Sequence, residues 1–239
     1  MVENLEGRIV SSENISESQK LEMFGILKQN FEGYVFDNFV KDLVSKDDVI
    51  LLENKIREIK GFTTIKNFNT DIGQKKVRGL FSGDTIIQQD YWNKHDLFKV
   101  WLNYAFEKSQ EDTSPLYWFL ISSGCRTYKI IPTFFNDFYP NLNGLNSAKK
   151  QLLDEFGNYM FEEDYDSDTG LIKFSNSKER LNKELAKIDP AQLKNPYVSY
   201  FLKKNPKYYE GVELACVVEI SYENLRSFGK RLLNDEQKR

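Results

Sequence analysis

The chain has 239 residues: 33 are Lys or Arg, 36 are Asp or Glu and one is histidine, giving a formal net charge of −3. With 40% apolar and 14% aromatic residues it can bury a core, which excludes a disordered chain, and its acidic balance argues against a nucleic-acid binder held mainly by phosphate contacts. A lone His95 and two cysteines, Cys125 and Cys216, exclude multi-histidine metal sites and argue against a structural zinc with four soft ligands, so no metal is expected.

Residues 1–10 contain no apolar run of the kind a secretory signal needs, and no stretch approaches the roughly 20 apolar residues of a membrane span. Two distant cysteines in a chain of this size read as reduced thiols, so the expected location is cytoplasmic. Ser16 with Gln19 three residues later forms a capping box, after which Leu21, Phe24, Leu27 and Phe31 recur at helical spacing up to Gly33. Phe36, Phe39, Val40, Leu43 and Val44 predict a second helix, and no strong strand is expected before these two. The apolar runs 49–52 and 59–65, joined by a polar turn, predict a hairpin. A strand over 77–87 is interrupted by Ser82-Gly83-Asp84, where a glycine inside a strand pattern predicts a bulge or a close backbone approach.

Leu97, Trp101, Tyr104 and Ala105 mark a helix within 91–108, and residues 116–121 read as a buried strand. A helix is expected next, reaching as far as Tyr139. Further on, 147–157 predicts a helix closed by Gly157, and 171–174 and 214–220 predict strands. The order of elements favours one α/β or α+β domain over two.

This order, with 49–52, Lys60-Gly61-Phe62-Thr63-Thr64 and the bulged strand 81–87, resembles the GNAT superfamily of acyl-CoA-dependent N-acyltransferases over roughly residues 15–140. The chain also resembles a group of uncharacterised bacterial GNAT-like proteins that carry the same SGDT and YWFLISSG-RTY segments. The resemblance implies an α/β fold with a mixed, mostly antiparallel central sheet flanked by helices, and it leaves 141–239 as a C-terminal extension within a single domain. It also implies an N-acyltransferase that moves an acyl group from acetyl-CoA or a longer acyl-CoA to a small-molecule or peptide amine by direct attack. The bulged strand, with Ile86 and Ile87, is then expected to hold the donor. In that superfamily the following loop wraps the pyrophosphate with glycines at a helix start. Here the aligned stretch is Trp92-Asn93-Lys94-His95-Asp96-Leu97, where both glycines are missing and Asn93, Lys94 and His95 are left to meet phosphate. That departure motivates the alternative of a catalytically inactive GNAT-like scaffold binding a protein or a small ligand.

Amine acylation needs a base for the ammonium, a donor for the oxyanion and an acid for the thiolate. Asp84 beside the bulge is the expected base, set against a role as a turn cap. Tyr128 is the expected acid, set against a place in the core. Ser122, Ser123 and Arg126 lie at a strand-to-helix switch where ligands bind, set against an N-cap followed by a solvated arginine. Two other patterns are read as bland: Cys125 as a buried thiol rather than a partner of His95, and residues 164–170 as an acidic turn rather than a calcium loop.

Overall fold

A computed structural model describes residues 4–92, 94–175 and 179–234. In chain order the strands and helices are β1 (Glu6–Ser11), α1 (Glu17–Asn30), β2 (Phe31–Glu32), α2 (Phe36–Val44), β3 (Asp48–Glu53), β4 (Ile59–Ile72), β5 (Lys75–Ile87), α3 (Asp96–Gln110), β6 (Leu116–Ser122) and α4 (Cys125–Phe134). There follow α5 (Ser147–Phe161), β7 (Tyr165–Asp166), β8 (Leu171–Ile172), β9 (Arg180–Leu181), α6 (Lys183–Ala186), α7 (Pro196–Lys204), β10 (Glu213–Glu219) and α8 (Ser227–Asn234). The capping box is formed: the Ser16 hydroxyl accepts from the Gln19 amide at 3.3 Å and the Gln19 side chain accepts from the Ser16 amide at 3.0 Å.

Eight strands make one sheet in the order β1-β3-β4-β5-β6-β10-β8-β7, and β2 pairs separately with β9. Neighbours in the large sheet are antiparallel except β5 and β6, whose parallel pairing is reached through the crossover helix α3. The fold class is therefore mixed α/β, with a mostly antiparallel sheet flanked by helices. One face, through Ile50, Leu52, Ile65, Leu80 and Trp118, packs with α3 and α4. The opposite face is shared: α1 and α2 cover Val49, Leu51 and Phe62, while α5 covers Phe68, Phe81 and Phe119. Burial on both faces is why β3 reads as a continuous apolar run rather than an alternating one.

Three elements differ from the sequence expectation. A strand, β1, precedes the helices: it pairs only with β3 at the sheet edge and is exposed over most of its length, so its charged residues hide the strand signal. Helix α4 stops at Phe134 rather than Tyr139, because Phe135 bridges to Leu225 and Tyr139 to Val217, which extends the backbone. Gly157 lies inside α5 and not at its end. It is buried against Tyr165, whose ring stands 2.6 Å from where a Cβ would be, so close packing rather than termination requires the glycine. The segment 141–239 supplies β10, in the interior of the sheet, and α7, whose Val198 and Phe201 are fully buried.

Candidate active site

The parallel register runs from Arg78 opposite Leu116 to Ser82 opposite Leu120 and ends there, although β5 continues to Ile87 and β6 to Ser122. The cause lies on the other side of β5. Ile65 pairs with Ser82 and Thr63 with Thr85, so Gly83 and Asp84 together stand opposite Thr64 as a bulge, and a bulge bends its strand. A side chain at position 83 would place its Cβ 2.5 Å from the Thr64 hydroxyl, which is why a glycine sits there.

A cavity of about 810 Å³ occupies the gap and is lined from both faces of the sheet. On the α3 and α4 face its wall is aromatic and apolar, with Leu97, Phe98, Trp101 and Trp118, and is joined by Arg126. The Arg126 guanidinium lies 4.2 Å over the ring of Trp92. Where the strands part, the buried Ser82 hydroxyl accepts the indole N–H of Trp101 and that of Trp118, each at 3.0 Å.

The wall on the other face sets carboxyls among apolar side chains that include Phe39, Phe81 and Phe161. Asp84 accepts a hydrogen bond from the Tyr34 hydroxyl at 3.1 Å. Burial pushes the Asp84 carboxyl up to about 7, Asp42 adds to the rise, and Lys46 and the Tyr34 bond oppose it. Glu213, the first residue of β10, is pushed up to about 8 by burial and by the nearby Asp84 and Glu179. The Tyr34 hydroxyl is held well above its ordinary value, first by burial and then by Asp84. Lys46 is tied to Asp42 at 2.5 Å and lies over the Phe81 ring. The arrangement therefore offers carboxyls that exchange protons near neutrality, beside an apolar slot.

Of the residues expected from sequence, Asp84, Ile86, Ile87, Ser123 and Arg126 line this cavity. Ser122 is fully buried next to it and does not line it. Asn93 lies outside the described residues. Lys94 and His95 are off the cavity wall. His95 caps α3 in a left-handed conformation with φ 57°, and its ring packs edge-on against Phe134 and Phe228 at 5.5 and 5.4 Å. The expectation for Tyr128 is corrected. It is fully buried among Tyr200, Phe201 and Phe138, its hydroxyl donates to the Pro140 carbonyl at 2.8 Å, and burial raises its pKa far out of range for an acid. Cys125 does line the cavity, but burial pushes its thiol up, opposite to what a nucleophilic thiolate needs. Residues 164–170 contain a turn in which the Asp166 carboxylate accepts from the Asp168 amide and the Thr169 hydroxyl.

Tyr34, Ser82 and Glu213 line the cavity and are given no site role by the sequence. Ser82 had a signal in its place beside the bulge. Glu213, a carboxyl opening the apolar run 214–218, had a weaker one. Tyr34 had none, because it joins the site only through the packing of α1 and α2 onto the sheet.

No family model and no curated protein matches this chain. Solved structures do. A conserved protein from Enterococcus faecalis V583, described as a probable N-acyltransferase, matches at 13% identity and a TM-score of 0.40, over 56% of this chain and 33% of that one, so the likeness spans about a third of its length. A mutant AtaT toxin bound to the C-terminus of the antitoxin AtaR and acetyl-CoA matches at 10% identity and a TM-score of 0.39, over 62% and 90% of the two chains. The GNAT family N-acetyltransferase YhbS from Escherichia coli, in complex with CoA, matches at 8% identity and a TM-score of 0.35, over 52% and 66%. The chain is a mixed α/β protein by its own sheet and helices, and the solved structures similar to it include a GNAT family N-acetyltransferase and a probable N-acyltransferase.

Proposed function

We propose that the chain is an N-acyltransferase that uses acetyl-CoA or a longer acyl-CoA and acts on a cationic amine. The observation that carries this reading is the cavity through the sheet where β5 and β6 part, apolar on one face and bearing Asp84, Glu179 and Glu213 on the other. A neutral, extended arm suits the slot along Leu97, Phe98 and Trp118, and the anionic end of the donor suits Arg126 and the N-terminal amides of α4, which have no side-chain cap. On this reading the phosphate-binding role falls to α4 rather than to the glycine-free start of α3.

An ammonium group is drawn to the wall formed by Asp84, Glu213 and Glu179. The Asp84 carboxylate takes its proton, the neutral nitrogen attacks the thioester carbon, the C–N bond forms and the C–S bond breaks. The nitrogen sheds a second proton as it becomes the amide, and the departing thiolate takes up that proton and leaves as CoA. A base with a pKa near 7 suits this work, since it is substantially ionised at neutral pH and still takes up a proton. The missing glycines of residues 92–97 favour the second reading, a scaffold without catalysis. Calorimetric titration with acetyl-CoA and longer acyl-CoAs, followed by thiol release with a panel of polyamines and peptide amines, decides between them. Binding and turnover are expected, and no binding at millimolar acyl-CoA overturns the proposal.

A further inference from the structure

We infer that Ser82 donates a hydrogen bond to the thioester carbonyl of the acyl donor, an assignment that rests on the acyltransferase reading above. A serine hydroxyl has one proton to give and two sites at which to accept. Both accepting sites of Ser82 are taken, by Trp101 from α3 and Trp118 from β6, and an indole N–H can only donate. The hydroxyl proton is thereby confined to the one remaining direction. Among the described residues no protein group accepts it, although the residue is only 6% exposed and lines the cavity. A buried donor held in one orientation with no acceptor asks for a ligand oxygen that carries no proton of its own.

The surroundings select the kind of oxygen. Leu97, Phe98 and Leu120 make the slot apolar, which suits a neutral carbonyl better than a carboxylate. Ser82 is on the α3 face of β5, whereas Asp84, two residues on, bonds to Tyr34 on the opposite face. A carbonyl held by Ser82 therefore puts its carbon in the gap between the strands, open to an amine arriving from the Asp84 side. As that oxygen gains charge during attack the bond to Ser82 strengthens, and the two indoles spare the hydroxyl any reorientation.

Three probes test this by calorimetry: acetyl-CoA, CoA, and S-ethyl-CoA, in which a methylene replaces the carbonyl. The wild-type chain is expected to bind acetyl-CoA about 10-fold more tightly than S-ethyl-CoA. In Ser82→Ala the two are expected to bind alike, with affinity for CoA retained. Because that variant strands two indole N–H groups, Ser82→Cys, close in volume and a weak acceptor, is measured beside it, with circular dichroism to check folding. Equal wild-type affinity for acetyl-CoA and S-ethyl-CoA overturns the assignment whatever becomes of the variants, and so does undiminished discrimination in either folded variant. Should the wild-type chain bind none of the three, the acyltransferase reading itself falls. Binding of CoA without discrimination leaves that reading in place and removes only the role of Ser82.

Discussion

The role proposed for Asp84 comes at the expense of stability. Its carboxyl, ordinarily near 3.8, is raised to about 7, chiefly by burial, so between these values the folded protein keeps a proton that the unfolded chain has released. Folding is therefore penalised increasingly as pH rises through that window and fully above it. Asp84→Asn is expected to be more stable than wild type by about 1–3 kcal/mol at pH 8, with the difference vanishing below about pH 4, as read by thermal melts across pH. The same variant is expected to lose roughly 10²–10⁴-fold in turnover. Tyr34→Phe removes a bond that holds the Asp84 value down, so the rising limb of kcat/KM against pH is expected to move to higher pH; an unmoved limb means Asp84 is not the titrating base. At this scale the sequence was informative where chemistry and backbone coincide. The places of Asp84 and Arg126 on the cavity wall were legible because each sits at a break in a strand pattern, whereas Tyr128 was misplaced because a tyrosine at the right distance from a strand can as well turn inward.

Among the elements, the C-terminal end of α3 is tied to β5 by the side chain of Arg78. The Arg78 guanidinium, 9% exposed, donates to the carbonyls of Lys108 and Ser109 in the last turn of α3 and to those of Asp112 and Ser114 beyond it. These are the acceptors a helix end leaves unpaired, and a cation there also meets the negative end of the helix dipole. Arg78→Met is expected to cost about 2–4 kcal/mol in urea unfolding, more than a surface arginine would. Gly157→Ala is expected to cost about 1–3 kcal/mol by the same measure, since Tyr165 has no room to yield without leaving the core. The interior strands and the bulge were readable from sequence because period and glycine placement record them. The edge strand β1 was not, since half of its evidence is a partner, β3, that lies some 40 residues away.

For the molecule as a whole, the site depends on residues far apart in the chain. β10 pairs with β6 along its length, from Leu214 opposite Ser122 to Glu219 opposite Tyr117, and brings Glu213 to the acidic wall. Removing residues 213–239 is expected to abolish cooperative unfolding, which circular dichroism melts would show, because the edge of β6 and its apolar face lose their cover. The order of synthesis then matters. After Ser122 leaves the ribosome, roughly 90 more residues must follow before Glu213 appears, a wait on the order of 5–20 s at ordinary elongation rates. Through that interval β6 presents an open edge, and the half-built cavity has its aromatic wall but lacks a carboxyl on the other. Within the large sheet the nascent chain is thus exposed to mispairing longest at the strand on which its pocket is built.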